Sequence, residues 1–406
     1  MTEKAEIIYV VQPLYGDSND RILHEEIISL IESAGAQYAG SITQKIREIN
    51  PATYIGEGKL EELNERLEGL DVTVLFNGDL SPSQTLNISA AIGGKKVIDR
   101  TTLILDIFAL RAQSSEGKIQ VELAQLKYLY PRLKGKGESL SRLGGGIGTR
   151  GPGETQLETD RRHIRARIRA LEEKLSETEK RRAMQTERRK KDRIKTIALV
   201  GYTNTGKSTL LNAVTGANVL EKDALFATLD PTARSFEIEG VEFLMVDTVG
   251  FLQNLPHTLI QAFRSTLESA LNCDLALIVC DASGDYEMQL NTTLSTLREM
   301  NFSSPYLVVM NKCDRVNEIS GFPQNSVCIS ARKKKGLDEL KTRILQELES
   351  DFVRARLFVP YAKMSEYGSV RSLITEREVA YTDDGAEISA IIPAIYAEKF
   401  LRYIKK

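Results

Sequence analysis

Gly201-Tyr-Thr-Asn-Thr-Gly-Lys-Ser208 is the stretch that decides the fold of this 406-residue chain. It has the spacing G-x-x-x-x-G-K-[ST], in which glycines let successive backbone N–H groups turn toward a phosphate at the start of a helix. The apolar run 195–200 before it is typical of a buried strand, and 208–214 after it is typical of a helix. The stretch predicts a phosphate loop in an α/β domain, where Lys207 reaches the β- and γ-phosphates and Ser208 ligates Mg²⁺.

Length and composition set the frame for the rest of the chain. With 42% apolar residues in 406, two to four domains with proper cores are expected. No apolar run approaches the ~18 residues that span a bilayer, and the N-terminus has no secretory pattern, so a cytoplasmic protein without a membrane span is expected. The three histidines are too scattered to predict a metal cluster. The four cysteines, without C-x-x-C spacing, are expected to be reduced thiols: Cys273, Cys280, Cys313 and Cys328.

The net charge of −2 conceals a strongly basic segment. Residues 132–195 hold twenty Lys and Arg against ten Asp and Glu, a net of +10. Two apolar stripes with helical spacing, 119–130 and 164–175, predict two helices that pack together, the second from about Glu158 to Arg193. Between them, residues 134–153 have too many glycines for a helix. An antiparallel helical hairpin with a basic, glycine-rich tip is expected. Its arginines favour an RNA partner, and a solvated coiled coil with a disordered loop is the alternative.

The flanking regions complete the predicted fold class, which is α/β. Residues 1–112 alternate strand-like and helix-like stretches and predict an N-terminal α/β domain with a largely parallel sheet. Gly56-Glu-Gly-Lys59 lacks phosphate-loop spacing and is interpreted as a turn before a helix. The predicted domains are the N-terminal α/β domain 1–112, the hairpin 113–193, the P-loop domain 194–351, and a small C-terminal α+β domain 352–406.

Two further segments resemble switches that sense a γ-phosphate. Asp247-Thr-Val-Gly250 follows a predicted strand, so Asp247 can hold Mg²⁺ through water and the Gly250 N–H can bond the γ-phosphate. Phe226-Ala-Thr-Leu-Asp230 lies in a loop between the other pieces. Thr228 is the candidate to close over Mg²⁺ and the γ-phosphate, with Thr232 as a weaker competitor.

The base is predicted from Asn311-Lys-Cys-Asp314, which follows the strand-like run 307–310. The Asp314 carboxylate can accept hydrogen bonds from guanine N1–H and N2–H₂, a donor pair that adenine lacks. A site of this kind can discriminate by roughly 10⁴. Ser330-Ala-Arg332 is placed to donate a backbone N–H to guanine O6. The expected substrate is therefore GTP.

These motifs, with residues 97–108, the glycine loop and Gly148-Thr-Arg-Gly-Pro-Gly-Glu-Thr-Gln-Leu-Glu-Thr-Asp-Arg-Arg162, resemble GTPases of the HflX family over about residues 1–350. The resemblance implies a cytoplasmic GTPase, monomeric off the ribosome, that binds the large (50S) subunit. Its region 132–162 would lie toward rRNA near the peptidyl-transferase centre. Splitting of stalled ribosomes, antibiotic resistance, a role in biogenesis, and ATP-linked RNA activity of the N-terminal domain all stay open.

The candidate site residues follow from the chemistry and from the resemblance alike. Catalysis is assigned to Lys207, Thr228 and Gly250, and Mg²⁺ to Ser208 and Thr228. The nucleotide-binding residues are predicted to be Gly201, Tyr202, Thr203, Asn204, Thr205, Gly206, Lys207, Ser208, Phe226, Ala227, Thr228, Leu229, Asp230, Asp247, Thr248, Val249, Gly250, Asn311, Lys312, Cys313, Asp314, Ser330, Ala331 and Arg332.

Two residues bear on the rate of hydrolysis. Phe251 stands where Ras-like GTPases carry the glutamine that orients the attacking water, so slow hydrolysis by the free protein is expected. Asn204 either ligates K⁺ near the phosphates or merely tolerates the turn. An RNA-remodelling NTPase and a non-ribosomal signalling GTPase are the competing functions. The first lacks a catalytic group outside the nucleotide site, and the second has no evident use for the basic hairpin.

Overall fold

The structure is a computed structural model that describes residues 5–16, 19–133, 152–192, 194–216, 225–226, 232–253, 256, 259, 271–316, 321–349 and 352–404. The chain forms two compact units. The first contains residues 1–185, 222–230 and 252–266, and the second contains residues 186–221, 231–251 and 267–406. The predicted residues 227–230 and the glycine-rich tip, 134–151, lie outside the described residues.

The first unit is built on a four-stranded parallel sheet in the order β2-β1-β3-β4. This confirms the predicted sheet, but the sequence did not reveal the edge strand β2, because its polar residues leave little apolar pattern and only Ile42 is buried. The predicted turn at Gly56 is confirmed as the N-cap of α2. The elements are β1 (Ile7–Leu14), α1 (Asn19–Ser33), β2 (Gln37–Lys45), α2 (Glu57–Arg66), β3 (Thr73–Phe76), α3 (Pro82–Ala91), β4 (Val97–Asp99) and α4 (Arg100–Arg111).

A buried ion pair lies beside this sheet. The side chains of Glu26 in α1 and Arg100 in α4 are 4% and 5% exposed and hydrogen-bond each other. Arg100 also donates to Asn77 Oδ1 at 2.9 Å and to the Gln253 carbonyl at 3.0 Å, and Glu26 accepts from the Gln253 N–H. Burial raises the pKa of Glu26, and Arg100 opposes that shift. The ion pair therefore binds both the N–H and the carbonyl group of Gln253.

The helical pair predicted from the two apolar stripes is confirmed. α5 spans Ser115–Arg132, and α6 spans Pro152–Asp192, so the second helix starts six residues earlier than expected. Arg167 makes two hydrogen bonds to Glu122 at 2.6 and 2.8 Å, and Leu171 is 1% exposed. Tyr130, near the end of α5, receives hydrogen bonds from Arg165 of α6. These contacts pack the two helices against each other.

The second unit carries the phosphate loop on a six-stranded sheet in the order β10-β9-β8-β5-β7-β6. All its strand pairs are parallel except β6 with β7. The central strands β5 and β8 are buried along most of their length, as their continuous apolar runs predict. The elements are β5 (Lys195–Val200), α7 (Lys207–Thr215), β6 (Thr232–Ile238), β7 (Val241–Asp247), β8 (Leu275–Asp281), α8 (Tyr286–Glu299), β9 (Tyr306–Asn311), β10 (Ser326–Cys328) and α9 (Leu337–Glu347).

The C-terminal residues of the second unit form a three-stranded antiparallel sheet in the order β11-β13-β12. The predicted order of strand, helix, hairpin and helix is confirmed. The elements are β11 (Phe352–Pro360), α10 (Met364–Val370), β12 (Thr375–Tyr381), β13 (Gly385–Pro393) and the short α11 (Ala397–Phe400).

This sheet packs directly on the GTPase sheet of the same unit. Ile391 of β13 belongs to the GTPase core, and the ring of Phe352 lies 6.2 Å from that of Phe243. Arg354 and Arg377 contact the Glu239 carboxylate at 3.3 and 3.2 Å, in the tight turn between β6 and β7. The C-terminal sheet thus contacts both the hairpin turn and the core of the GTPase fold.

Among the residues that the structure describes, none of the helices combines the length and apolar character needed to cross a bilayer.

Candidate nucleotide-binding site

The phosphate loop has the predicted setting, between β5 and the first residue of α7. Two of its glycines are required by close neighbours. Gly201 has φ +148°, and a Cβ there would lie 2.3 Å from the Val279 carbonyl oxygen of β8. Gly206 has φ +90°, and a Cβ there would lie 2.4 Å from Nδ2 of Asn311. Both positions therefore exclude a side chain, as the phosphate-loop prediction requires.

The side chain of Lys207 is enclosed by the other residues of the phosphate loop. Its Nζ donates to the carbonyl oxygens of Gly201 at 3.2 Å and Tyr202 at 2.7 Å. Burial lowers the pKa of Lys207 to about 8, while the nearby Asp247 carboxylate acts in the opposite direction. A buried ammonium that is bonded to carbonyl oxygens gains strongly from an approaching phosphate, because the surroundings are dry.

Two of the residues predicted to hold Mg²⁺, Ser208 and Asp247, contact each other at the end of β7. The Ser208 hydroxyl donates to the Asp247 carboxylate at 2.6 Å, and Asp247 is fully buried. A hydroxyl and a carboxylate are oxygen ligands of the kind that Mg²⁺ prefers, directly or through water. This arrangement fits a magnesium ion held by Ser208 with Asp247 behind it. Thr228, the other predicted ligand, lies outside the described residues, together with Ala227, Leu229 and Asp230.

The segment after Asp247 folds back onto the phosphate loop. Thr248 donates to the Leu199 carbonyl at 2.7 Å, and Val249 is buried. Phe251 donates its N–H to Gly201 at 3.0 Å and accepts from the Thr203 N–H at 2.8 Å. A Cβ on Gly250 would lie only 2.8 Å from the Thr203 Cα and 2.9 Å from the Lys207 Nζ. Gly250 therefore packs directly against the phosphate loop, where a side chain would not fit.

Phe226 is the one described residue of the other predicted switch segment, 226–230. It has φ +54°, is 2% exposed and stacks edge-on against Phe108 at 4.5 Å between ring centroids, inside the first unit. The adjacent Leu225 N–H donates to the Ser33 hydroxyl at 3.1 Å. The Phe226 side chain thus belongs to the core of the first unit. The assignment of Phe226 to the nucleotide site stays a prediction.

The base-recognition segment is tied to the phosphate loop by Asn311. Its Nδ2 donates to the Thr205 carbonyl at 2.8 Å, and its Oδ1 accepts from the Ala331 N–H at 3.0 Å. One side chain therefore joins the phosphate loop to the 330–332 loop. Lys312 has φ +63° and donates to the Asn204 carbonyl at 2.8 Å and to Asp281 at 2.6 Å.

Asp314, the predicted guanine ligand, is held in its ionised form. Hydrogen bonds from Ser330 and then Lys333 lower the pKa of Asp314 to about 2, and the Lys333 Nζ lies 3.1 Å away. A carboxylate that stays charged accepts two hydrogen bonds, as guanine recognition requires. Neighbouring Cys313 donates its thiol to the Met310 carbonyl at 3.1 Å, and Arg332 is exposed.

Sequence reasoning missed two charged groups of this site. Asp281, at the end of β8, pairs with Lys312, and Lys333 pairs with Asp314. Asp281 was detectable in principle, because carboxyl ends of central parallel strands line ligand clefts. Asn204 has φ +58°, a left-handed conformation that asparagine adopts more readily than most residues, so the turn alone explains its presence. Its side chain is exposed and remains available to a cation.

The C-terminal end of α5 combines aromatic rings with arginines. Arg132 lies over the Tyr128 ring at 3.3 Å, and Arg161 and Arg165 lie 5.4 and 5.5 Å from the Tyr130 ring. Arg162 and Arg169, two arginines of the basic segment 132–195, are exposed.

Comparison with known proteins covers most of the chain. A family described as GTP-binding GTPase N-terminal matches residues 23–109, GTP-binding GTPase Middle Region matches 111–189, and 50S ribosome-binding GTPase matches 196–312. The GTPase HflX of Caldanaerobacter subterraneus subsp. tengcongensis is 47% identical over 93% of this chain and 89% of its own length. That of Alkalihalophilus pseudofirmus is 50% identical over 80% of this chain and 78% of its own length.

A solved structure of a GTP-binding protein from Sulfolobus solfataricus in complex with GDP is 26% identical and covers 85% of this chain and 99% of its own, with a TM-score of 0.45. The GTPases of this family use GTP, generally with Mg²⁺. The phosphate loop, the Ser208–Asp247 pair and the ionised Asp314 stand in a chain that is 47% and 50% identical to these two relatives over most of its length, and this chain belongs to the HflX family of GTPases.

Proposed function

We propose that this protein is a cytoplasmic, ribosome-associated GTPase that binds the large subunit through the helical hairpin α5/α6 and its basic, glycine-rich tip. The observation that carries the proposal is the combination, in one chain, of a GTPase site with a segment of net charge +10 whose arginines Arg162 and Arg169 are exposed. The family match over 196–312, described as a 50S ribosome-binding GTPase, supports the same partner.

Charge makes RNA the preferred partner of the hairpin. Arginine binds phosphate through a planar fork, and tyrosine rings among arginines suit unpaired bases and backbone. Half-buried Tyr130, with Arg161 and Arg165 beside its ring, provides one such arrangement near the end of α5. An RNA-remodelling enzyme or a signalling GTPase would have to use the same nucleotide site with another partner.

The GTPase site is proposed to act as a conditional timer. Lys207 and the Gly250 N–H contact the γ-phosphate, Ser208 and Thr228 hold Mg²⁺, and Asp314 selects guanine. Mg²⁺ bound there neutralises charge on the β- and γ-phosphates. Since Phe251 carries no group that orients water, hydrolysis by the free protein is slow and the ribosome accelerates it. Comparable GTP turnover with and without large subunits would contradict this.

Potassium is a further proposed cofactor, held by the exposed Asn204 side chain. A monovalent cation at that position supplies positive charge near the transferred phosphoryl group, which an arginine supplies in other GTPases. GTP turnover in K⁺ should exceed turnover in Na⁺ at equal ionic strength. Equal rates would exclude the cation and leave the turn geometry as the whole explanation of Asn204.

Co-sedimentation tests the ribosomal proposal. The protein is mixed with 50S and 70S particles in a non-hydrolysable GTP analogue, GDP or no nucleotide, at two or more salt concentrations. We expect GTP-dependent binding to particles that contain the large subunit. Splitting, if it is the function, appears as conversion of 70S particles to subunits. Failure to co-sediment in every state would reject the proposal.

A charge-reversed variant sharpens this experiment. Arg162→Glu with Arg169→Glu should weaken binding and reduce the slope of log affinity against log salt by about 2, since each lost phosphate contact lowers it by about 1. Arg298→Glu, an exposed arginine of α8 in the GTPase unit, is the matched control and should leave the slope unchanged. Equal effects of the two changes would point to non-specific charge instead of the hairpin.

A further inference from the structure

The GTPase site contains a buried hydroxyl that none of the predicted roles uses. Thr203, in the phosphate loop, is 5% exposed, and its Oγ1 has no hydrogen-bond partner among the residues that the structure describes. Its neighbour Thr205, which is 1% exposed, donates its hydroxyl to the Tyr202 carbonyl at 3.1 Å. One hydroxyl therefore stabilises the loop itself, and the other is left to bind something else.

The position of Thr203 indicates what that partner is. A point one bond from the Gly250 Cα, where a Cβ would stand, is 2.8 Å from the Thr203 Cα and 2.9 Å from both the Thr203 Cγ2 and the Lys207 Nζ. Lys207 and Gly250 are the two groups assigned to the γ-phosphate. Thr203 thus lies directly against Gly250, at a point that the Lys207 ammonium also approaches.

Packing alone does not explain a threonine here. Valine has the same shape and would fill the space without burying an unsatisfied oxygen, which costs free energy. The methyl group supplies the contact with Gly250, so the hydroxyl adds nothing to it. A buried hydroxyl that is unsatisfied without substrate is accounted for when substrate or its nucleophile completes the bonding.

We propose that the Thr203 hydroxyl orients the attacking water. It would thereby replace the glutamine that Ras-like GTPases carry at the position of Phe251. Its O–H donates to a γ-phosphate oxygen, and its lone pair accepts a hydrogen bond from the water. The water oxygen attacks the γ-phosphorus, and the bond to the β,γ-bridging oxygen breaks with its electron pair on GDP. The water proton ends on a γ-phosphate oxygen. Thr203 is not consumed, and the inference rests on GTP hydrolysis, not on the ribosomal partner.

Thr203→Val and Thr203→Ser in the full-length protein test the assignment. Single-turnover hydrolysis is measured without ribosomes, with GTP, Mg²⁺ and excess protein, and GTP and GDP affinities are measured separately with fluorescent analogues. Valine should lower the rate of bound GTP hydrolysis about 10²-fold, the usual loss of one oriented donor. Both affinities should change less than about threefold, and serine should restore at least a third of the rate.

Thr296→Val is the matched control, since it removes a buried hydroxyl that is bonded to the Thr292 carbonyl at 2.9 Å within α8 and belongs to none of the predicted site residues. It should leave both nucleotide affinities, and the rate at which bound GTP is hydrolysed, near those of the unaltered protein. The proposal is overturned if Thr203→Val hydrolyses bound GTP at the unaltered rate, if serine is as slow as valine, or if valine weakens both nucleotides as much as it slows hydrolysis. Because ribosomes are absent, none of these outcomes depends on the proposed partner.

Discussion

The buried pair of Glu26 and Arg100 allows a quantitative prediction about the first unit. Arg100→Met leaves the Glu26 carboxylate in a site where its side chain is 4% exposed, without its cationic partner. Breaking a buried pair in this way costs about 3–5 kcal/mol. At 1.4 kcal/mol per factor of ten, the equilibrium constant for opening of the unit should rise roughly 10²- to 4 × 10³-fold.

The pH dependence gives this prediction a sign. Burial already raises the pKa of Glu26 with Arg100 present, and removal of Arg100 raises it further. A carboxyl group whose pKa is higher in the folded than in the unfolded state contributes its stability below the unfolded pKa and loses it as pH rises through the folded pKa. The loss of stability caused by Arg100→Met should therefore shrink as pH falls from 8 toward 5. The double variant Glu26→Gln/Arg100→Met has no buried carboxyl at this position, so its loss of stability should not change with pH.

Hydrogen exchange of the β3 amides, residues 74–76, measures the opening, because β3 is central in the sheet of this unit. Arg21→Met is the control: the Arg21–Glu25 pair lies on the same helix as Glu26, but its side chains are 89% and 63% exposed, so its loss should cost under about 0.5 kcal/mol. The double variant should exchange more slowly than Arg100→Met alone. If it exchanges faster, the stranded carboxylate is not the source of the defect.

Three other results follow from the nucleotide site. Asp314→Asn should lower affinity for GTP by about 10⁴ and favour xanthosine triphosphate, because the amide offers a donor to the base; unchanged selectivity in nucleotide competition would contradict the assignment. Gly250→Ala places a Cβ 2.8 Å from backbone, so single-turnover GTP hydrolysis should fall at least about tenfold with GDP affinity retained. Equal losses for GDP would point to general misfolding. Burial raises the pKa of Cys313 to about 12, so its alkylation at pH 8 should be about 10³-fold slower than that of an ordinary thiol, with urea-unfolded protein as control; comparable rates in mass spectra would refute a protonated thiol.

The sequence predicted the phosphate loop and its strand and helix because those depend on local backbone demands. Gly201 and Gly206 are glycines since Val279 and Asn311 leave no space for a Cβ, and the spacing of the motif already encodes that constraint. Strand β2 escaped prediction because an edge strand with one buried residue shows little apolar periodicity.

Other features depend on contacts that are distant in sequence. Nothing local shows that Phe226 stacks on Phe108, or that Glu26 and Arg100 hold the backbone of Gln253. The unpartnered hydroxyl of Thr203 is visible only once Gly250 and Lys207 are placed around it. The roles of the predicted site residues toward GTP and Mg²⁺ stay predictions for the experiments above.

The contact between the C-terminal sheet and the GTPase sheet has a practical consequence. Since Ile391 fills part of the GTPase core and Phe352 packs on Phe243, a fragment that stops before residue 352 would expose apolar surface. Glu239 would also lose its contacts with Arg354 and Arg377. Glu239 lies in the turn between β6, which follows the predicted switch segment 226–230, and β7, which ends at the other, 247–250. Expression fragments of the catalytic region should therefore extend through β13, and truncations meant to remove an accessory module would instead report on a damaged enzyme.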